Sequence, residues 1–210
     1  MTSKRLKSIR LPPQQQPKTI LSYTASIVSN NVDDKLREFM VNYCVEDSTF
    51  AIYEKVVPNS GFPGGKFLKE TKAINPLTNK PYKPEEVEVG KDIVVNGWKF
   101  HLNIASEGTL KTIEAKSGTI FTNSSISHII LPLRQKIGKR GSESYERMHC
   151  AFMEYDTRKR GKVTQEQMRD VLVNKLNTNI GEQELVILFR KYQFAGADLF
   201  QYEQFLSDNF

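Results

Sequence analysis

The sequence predicts an α+β protein in which an antiparallel β domain precedes an all-α domain. Between residues 33 and 116, short runs alternate apolar and polar residues and are separated by turn residues, as half-buried strands are. After residue 144, two twelve-residue windows each lie between runs of helical character and start 37 residues apart. These two observations give four segments: a basic extended tail (1–32), the β domain (33–116), a linker with a short helix (117–144) and the helical domain (145–210).

The β domain is expected to be a small antiparallel barrel or sandwich. Its predicted strands are residues 36–45, 49–57, 66–72, 93–95 and 98–102. The strongest local signal is Asn96-Gly97, because this dipeptide favours the type I′ turn of a two-residue hairpin. Residues 110–116 are predicted to be either a closing strand or a short helix.

A glycine-rich stretch, Asn-Ser-Gly-Phe-Pro-Gly-Gly-Lys-Phe-Leu, occupies residues 59–68. Its lysine suggests a phosphate-binding loop, but that motif needs four residues between its glycines, a hydroxyl after the lysine and a following helix. Here Gly61 is one residue too close to Gly65-Lys66, Phe67 replaces the hydroxyl, and a strand is predicted next. We therefore interpret the stretch as a shaped turn.

The order of turn and aromatic residues in this segment resembles the DM-ten domain. The residues that carry the likeness include Asp47-Ser48-Thr49, Ile52-Tyr53-Glu54, Asn59-Ser60-Gly61, Gly65-Lys66-Phe67-Leu68, Tyr82 and Asn96-Gly97. This domain occurs in myoclonin-type EF-hand-containing ciliary proteins, which carry three copies where this chain has one. The resemblance implies a pleckstrin-homology-like β fold and a place inside the doublet microtubules of cilia.

The two windows of the helical domain have the spacing of a paired EF-hand. The first begins at Asp156 and ends at Gln167, with Gly161 at its sixth position. The second begins at Gln193 and ends at Gln204. Val163 and Phe200, at the eighth positions, are expected to meet in a short β bridge, and Thr164 with Gln167 predicts a capping box.

Neither window has the ligands that calcium requires. Calcium takes six to eight oxygens, mainly from positions 1, 3, 5, 7, 9 and a glutamate at position 12. The first window keeps Asp156 but has Arg158 at position 3, Arg160 at position 5 and Gln167 at position 12. The second has glutamine or alanine at positions 1, 3, 5 and 12. We expect both loops to be degenerate and to bind no metal.

Positive charge is concentrated in two places. The chain carries 30 lysines and arginines against 24 acids, and residues 1–32 contain no acid. The candidate partner-binding residues are in the tail and the first EF-hand window: Lys4, Arg5, Lys7, Arg10, Arg158, Lys159, Arg160 and Lys162. Each group either contacts an acidic partner surface or is a solvated segment. Two distant cysteines, Cys44 and Cys150, predict free thiols in a reducing compartment.

No catalytic or cofactor-binding set is evident. The three histidines are scattered, and no spacing suits zinc or a nucleophile with its base. We expect a non-enzymatic protein without a cofactor, a transmembrane segment or a nucleic-acid partner. The resemblance implies a structural microtubule inner protein of the axoneme, in the cytoskeleton of cilia or flagella, with tubulin and other inner proteins as partners.

Two alternatives remain open at this stage. The implied β fold is also used to bind lipid head groups, so a membrane or phosphoinositide adaptor is possible, with Lys66, Lys69 and Lys72 as its bases. The EF-hand pattern would suggest a calcium-regulated ciliary switch, against which the loop residues argue.

Overall fold

The computed structural model describes residues 18–58, 60–121 and 124–210, which form an antiparallel sheet followed by helices. The strands of the main sheet are β1 (Ile20–Ile27), β2 (Glu38–Cys44), β3 (Thr49–Glu54), β4 (Gly65–Lys72), β7 (Asp92–Val95) and β8 (Trp98–Ala105). Their spatial order is β4-β3-β2-β1-β8-β7, so the sheet is an open half-barrel with β4 and β7 at its edges. The short strands β5 (Ile74–Asn75) and β6 (Lys80–Pro81) form a separate hairpin.

The first strand corrects the expected boundary at residue 33. Within the segment assigned to a tail, residues 20–27 form a central strand that pairs with β2 on one side and β8 on the other. Leu21, Tyr23, Ala25 and Ile27 alternate into the core. This apolar patch is too small to fold alone, but it folds by pairing with predicted strands on both of its sides. Residues 1–17 lie outside the described part of the chain.

The remaining strands follow the predicted pattern. The β7–β8 hairpin turns at Asn96 and Gly97, whose φ angles of 53° and 82° are those a type I′ turn needs. Residues 110–116, left open between strand and helix, belong to helix α1 (Glu107–Ala115). Ser106 caps it by accepting a hydrogen bond from the Thr109 amide, and Thr109 bonds to the backbone of Ser22. The helix is thereby fixed against β1.

The glycine-rich stretch covers a buried charge cluster. Arg37 donates to both Glu54 oxygens, at 2.7 and 3.1 Å, and to Asp34 at 2.8 Å, and all three side chains are nearly buried. Phe62, from the glycine stretch, lies 4.1 Å from the Arg37 guanidinium and caps it. Gly64 has φ of 67°, and a Cβ there would lie 2.8 Å from Val56. The stretch is thus an architectural turn that closes over this cluster.

In the described part of the helical half, residues 124–210, five further α-helices follow. They are α2 (Ile126–Ile137), α3 (Glu143–Tyr155), α4 (Gln165–Arg169), α5 (Glu182–Lys191) and α6 (Tyr202–Asn209). A π-helical segment, Asp170–Lys175, continues α4. The capping box of Thr164 and Gln167 is confirmed. So is the bridge between Val163 and Phe200, which pair in the two-stranded ladder of β9 (Lys162–Val163) and β10 (Phe200–Gln201).

Sheet and helices share one continuous core. At the junction, the Val89 amide donates to Gln183 Oε1 at 3.2 Å. Gly90, with φ of 84°, allows α5 to approach, since a Cβ there would lie 2.8 Å from Glu182 Cγ. Arg190 of α5 bridges Glu107 and Glu114 at the two ends of α1. The two halves are therefore held in a fixed relation.

Replacing a core residue of β1 tests its place in the sheet. Tyr23 is 1 % exposed, and its hydroxyl donates to the Val87 carbonyl at 2.7 Å. We expect Tyr23→Ala to lower the free energy of unfolding by about 3–5 kcal/mol, as other aromatic-to-alanine changes in cores do. The matched control is Thr24→Ala on the outer face of the same strand. This variant should change the free energy of unfolding by less than about 0.5 kcal/mol. Equal effects in urea denaturation would contradict the assignment of β1.

Candidate partner-binding site

The two windows form adjacent loops that connect pairs of helices. Loop 1 (residues 156–167) follows α3 and leads through β9 into α4, whereas loop 2 (residues 193–204) follows α5 and leads through β10 into α6. The β9–β10 ladder joins them side by side. Gly161 has φ of 71°, and a Cβ there would lie 2.9 Å from Glu203 Cγ, so only glycine fits the turn of loop 1.

The Asp156 carboxylate at the start of loop 1 is already occupied by protein donors. It is buried, and its oxygens accept from the amides of Arg160 at 3.0 Å and Gly161 at 2.6 Å. The Tyr202 hydroxyl, from α6, donates to it at 3.1 Å. Burial raises the pKa of Asp156, but these hydrogen bonds favour the charged form and bring it below its ordinary value. The carboxylate organises the loop through protein contacts.

Loop 2 is closed by its own backbone. The Phe194 amide donates to the Leu199 carbonyl at 2.8 Å, and the Gln193 side chain donates to the Ala197 carbonyl at 2.9 Å. Ala195 and Gly196 turn the chain with φ of 40° and 75°. Position 1 of this loop is thus used to hold the turn together.

Three of the four predicted bases of loop 1 form an exposed patch, named here the basic patch: Arg158, Lys159 and Arg160. Among the residues that the structure describes, no partner binds these three side chains. Lys162 behaves differently, because its ammonium lies 3.1 Å from the centre of the Phe194 ring and links loop 1 to loop 2. A groove of about 570 Å³ borders the basic patch, with exposed Met153 and buried Tyr202 among its lining residues.

The other predicted bases do not join this patch. Lys4, Arg5, Lys7 and Arg10 lie outside the described residues. Lys66, Lys69 and Lys72 are exposed along the edge strand β4. Lys66 pairs opposite Tyr53 and Lys72 opposite Thr49, so they are separated by about 20 Å at the usual rise of a strand. These lysines do not converge on one head group.

Sequence reasoning missed two aromatic residues of the site, Phe194 and Tyr202. Both lie in the second window, at positions 2 and 10, and both contact loop 1 across the ladder. No local pattern pairs them with residues about 30–45 positions earlier. The only signal in the sequence was that aromatic residues occupy two positions of the window that do not supply calcium ligands.

Within residues 18–58, 60–121 and 124–210, two of the three histidines each contact a single carboxylate at the surface. His101 Nδ1 lies 2.6 Å from Asp92 Oδ1, and His149 Nε2 lies 3.3 Å from Glu203 Oε1. The same residues contain no cluster of three or more histidine, cysteine, aspartate or glutamate side chains suited to a metal. The basic patch places three consecutive exposed cations on a loop that Asp156 holds in shape, which makes it the candidate site.

Comparison with known proteins agrees with the β half. The model of the DM10 domain, the DM-ten domain resembled above, matches residues 13–109, a range that includes β1. The chain is therefore a DM10-domain protein. It is 29 % identical over 185 residues to "EF-hand domain-containing family member C2" of Bos taurus and 28 % identical over 181 residues to that of Mus musculus. A match to "EF-hand domain-containing protein 1" of Mus musculus has 34 % identity over 102 residues.

The first two matches extend beyond the DM10 domain into the helical half, because they cover 82 % and 83 % of the chain. The third covers 47 % of the chain and 16 % of that relative. The chain belongs to the DM10/EF-hand family. It spans about a quarter of the length of the C2 relatives, 24 % and 23 %. None of the helices in the described ranges has both the length and the apolar character to cross a bilayer.

The contact between Asp156 and Tyr202 can be tested by removing one hydroxyl. We expect Tyr202→Phe to lower the free energy of unfolding by about 2 kcal/mol, the usual worth of a buried hydrogen bond to a charged group. The control is Tyr155→Phe, which removes a hydroxyl that donates to Asp170 in a more exposed place, and which should lower the free energy of unfolding clearly less than Tyr202→Phe does. Equal losses in urea denaturation would contradict the organising role of Asp156.

The pH dependence of this stabilisation has a definite sign. The pKa of Asp156 is lowered on folding from its ordinary value of 3.8, so the charged form stabilises the fold above that pH. The difference between the parent and Tyr202→Phe should stay constant from pH 7 to about 4. It should shrink only as the pH falls through the lower, folded-state pKa.

Proposed function

We propose that this protein is a non-catalytic structural component of ciliary or flagellar axonemes, a microtubule inner protein that binds tubulin inside doublet microtubules and stabilises the lattice. The observation that supports this most directly is the basic patch, three unpaired cations on a loop that needs no metal to keep its shape. Its natural partner is an acidic protein surface, and tubulin is strongly acidic.

The finer fold assignments belong to the same proposal. We infer that the half-barrel is a pleckstrin-homology-like domain and that the helical half is a degenerate EF-hand pair. The second inference is supported by the ladder between Val163 and Phe200 and by the glycine at the sixth position of loop 1. On this view the EF-hand pair is a rigid scaffold that fixes the position of the basic patch.

Rigidity matters because the patch itself is small. Three exposed cations contribute only about 1–3 kcal/mol of binding free energy with an acidic surface, since surface ion pairs are weak in water. Retention in a lattice then requires several modest contacts per molecule, made at fixed distances from one another. The ion pairs of Arg190 with Glu107 and Glu114 fix the distance between the helical half and the sheet. Neighbouring inner proteins are the other expected partners.

Copolymerisation with tubulin tests both binding and the role of the patch. We expect the protein to enter the microtubule pellet more when present during polymerisation than when added to finished microtubules, because the lumen is then accessible. The triple variant Arg158→Glu, Lys159→Glu, Arg160→Glu should reduce binding at least about tenfold, which corresponds to about 1.4 kcal/mol.

The matched control reverses Lys66, Lys69 and Lys72 of β4 to glutamate, which changes the net charge of +6 to zero just as the first triple variant does. The affinity of this control variant for microtubules should be within about twofold of that of the parent, because exposed charges distant from a contact are screened in salt. Equal weakening by both variants would indicate non-specific charge attraction. Release of the native protein with the soluble matrix of extracted axonemes, with none left on doublets, would refute the location.

We also propose that neither loop binds calcium at physiological concentrations, although the names of the relatives suggest that such binding is possible. In loop 1, Arg158 and Arg160 occupy positions where calcium sites have oxygen ligands, and the single carboxylate is already bonded to two amides and a hydroxyl. In loop 2, the Gln193 side chain is directed to a backbone carbonyl. A calcium-regulated switch is therefore the less supported function.

Restoring the missing ligands gives a positive control for this proposal. The parent chain should show no calorimetric heat of binding and no change in melting temperature between 1 mM calcium and a chelator. The variant Arg158→Asp, Arg160→Asp, Gln167→Glu supplies oxygens at positions 3, 5 and 12 around Asp156. It should bind calcium with a dissociation constant on the order of 10–100 μM, weaker than a natural sensor. Micromolar binding by the parent would contradict the proposal.

A membrane adaptor is not favoured by the structure. The lysines of β4 are spread along one edge instead of surrounding a pocket. Flotation of the protein with phosphoinositide-containing liposomes, lost in the Lys66, Lys69 and Lys72 variant, would reverse this conclusion.

A further inference from the structure

The groove beside the basic patch lies between α3, loop 1 and the start of α6. Helix α3 contributes His149 and Met153, which are one turn apart on the same face of the helix. Loop 1 contributes residues 159–162, and α6 contributes Glu203 and Gln204. This surface is named here the loop groove. Its volume of about 570 Å³ is enough to hold a few side chains of a ligand at the surface.

The charges that line the loop groove favour an anionic ligand. Its cations are Lys159, Arg160 and Lys162, whereas its carboxylate is that of Glu203. The Glu203 carboxylate lies 3.3 Å from His149 Nε2 and so has a partner within the protein. The side chains of Lys159 and Arg160 have no such partner in the described part of the chain. An acidic ligand would pair with both of them, and charge complementarity of this kind discriminates between binding partners.

The loop groove also has an apolar part beside its cations. Met153 is 39 % exposed, whereas the other large apolar side chains of α3 are buried or half-buried. Next to it lies Tyr202, whose ring stacks on that of Phe152 at 5.0 Å and 8°. A single exposed methionine is ordinary on a protein surface. In a concave site next to unpaired cations, however, its flexible thioether side chain is suited to an apolar group of a partner.

The remaining polar groups of the loop groove fit a polypeptide better than a nucleic acid. Gln201 and Gln204 line the groove, and within the described residues their side-chain amides have no hydrogen-bond partner. A side-chain amide can both donate to and accept from a peptide backbone. Single-stranded nucleic acids, in contrast, bind by stacking their bases on exposed aromatic rings. The ring of Tyr202 is 2 % exposed, so it offers no such surface.

We propose that the loop groove binds a short acidic segment of a partner protein, with an apolar residue next to its carboxylates. The carboxylates contact Lys159 and Arg160, and the apolar side chain lies against Met153. A protruding segment reaches both, whereas a flat acidic surface would reach only the cations of the loop. This inference rests on the proposed function, because it takes the basic patch to be the partner-binding surface, and it adds the pattern of the segment that is bound.

The test measures the binding of two synthetic peptides to the full chain by nuclear magnetic resonance titration. The peptides are Glu-Glu-Leu-Gln-Ser and Glu-Glu-Ser-Gln-Ser, which have the same charge. We expect the leucine peptide to bind about fivefold more tightly, because its side chain is partly buried against Met153. The largest shifts should be those of the Met153 and Gly161 amides. In Met153→Ser, the two peptides should bind equally, with the affinity that the parent has for the serine peptide.

A second pair of variants separates the groove from the overall charge of the protein. Glu203→Gln removes the carboxylate of the groove and should strengthen binding of both peptides about twofold, because the acidic peptide is then no longer repelled. The matched control is Glu143→Gln, which changes the net charge by the same amount. Glu143 is exposed and lies ten residues before Met153, about 15 Å along α3 and beyond the screening length in salt. The control should leave both affinities unchanged.

Three results would overturn the inference. They are equal binding of the two peptides by the parent, equal effects of Glu203→Gln and Glu143→Gln, and tighter binding of a thymidine oligonucleotide than of the leucine peptide. Any of these combined with copolymerisation that depends on the basic patch would leave the proposed function intact, with a flat acidic surface as the partner. Failure to copolymerise with tubulin, combined with the expected peptide preferences, would instead remove tubulin as the partner and retain the acidic segment.

Discussion

The position of β1 in the middle of the sheet is the constraint on which the rest of the structure depends. β2, β3 and β4 form one antiparallel meander and β7 and β8 form one hairpin, and the two meet only because β1 pairs with both. Burial of Tyr23 and its hydrogen bond to Val87 also fix the connector that leads to β7. Since α1 is bonded to the backbone of Ser22, the placement of the helical half also depends on this strand.

Charge in the interior is used for shape, and each buried charge has several partners. Arg37 is satisfied by two carboxylates and covered by Phe62, and Asp156 by two amides and a hydroxyl. A buried charge without such partners would cost several kcal/mol. In both places the chain supplies with its own donors and acceptors what an ion or ligand would otherwise supply. This explains how a phosphate-like loop and a calcium-like loop keep their shape through contacts within the protein.

The elements that sequence predicted correctly are those with local signals. Asn96-Gly97 fixes a hairpin, and Thr164 fixes a helix start, through contacts within a few residues. The role of β1 was not visible because its pairing partners are up to about 80 residues away. The contact between Asp156 and Tyr202, 46 residues apart, was missed for the same reason. The basic residues of loop 1 were found, but only the structure separates Lys162, bound to Phe194, from the exposed three.

The helical half has two surfaces that differ in exposure to a partner: an apolar surface under α2 and the basic patch on loop 1. The apolar surface shared by the two helix–loop–helix units is covered by α2, whose Arg134 and Lys136 donate to the Asn209 and Asn177 carbonyls. The basic patch has no such cover, because loop 1 is held in shape from beneath by Asp156 and Tyr202. A charged surface on a rigid loop is suited to fast, salt-sensitive association, because charge complementarity acts mainly on the association rate. The fold therefore leaves the basic patch open to a partner while α2 keeps the neighbouring apolar surface covered.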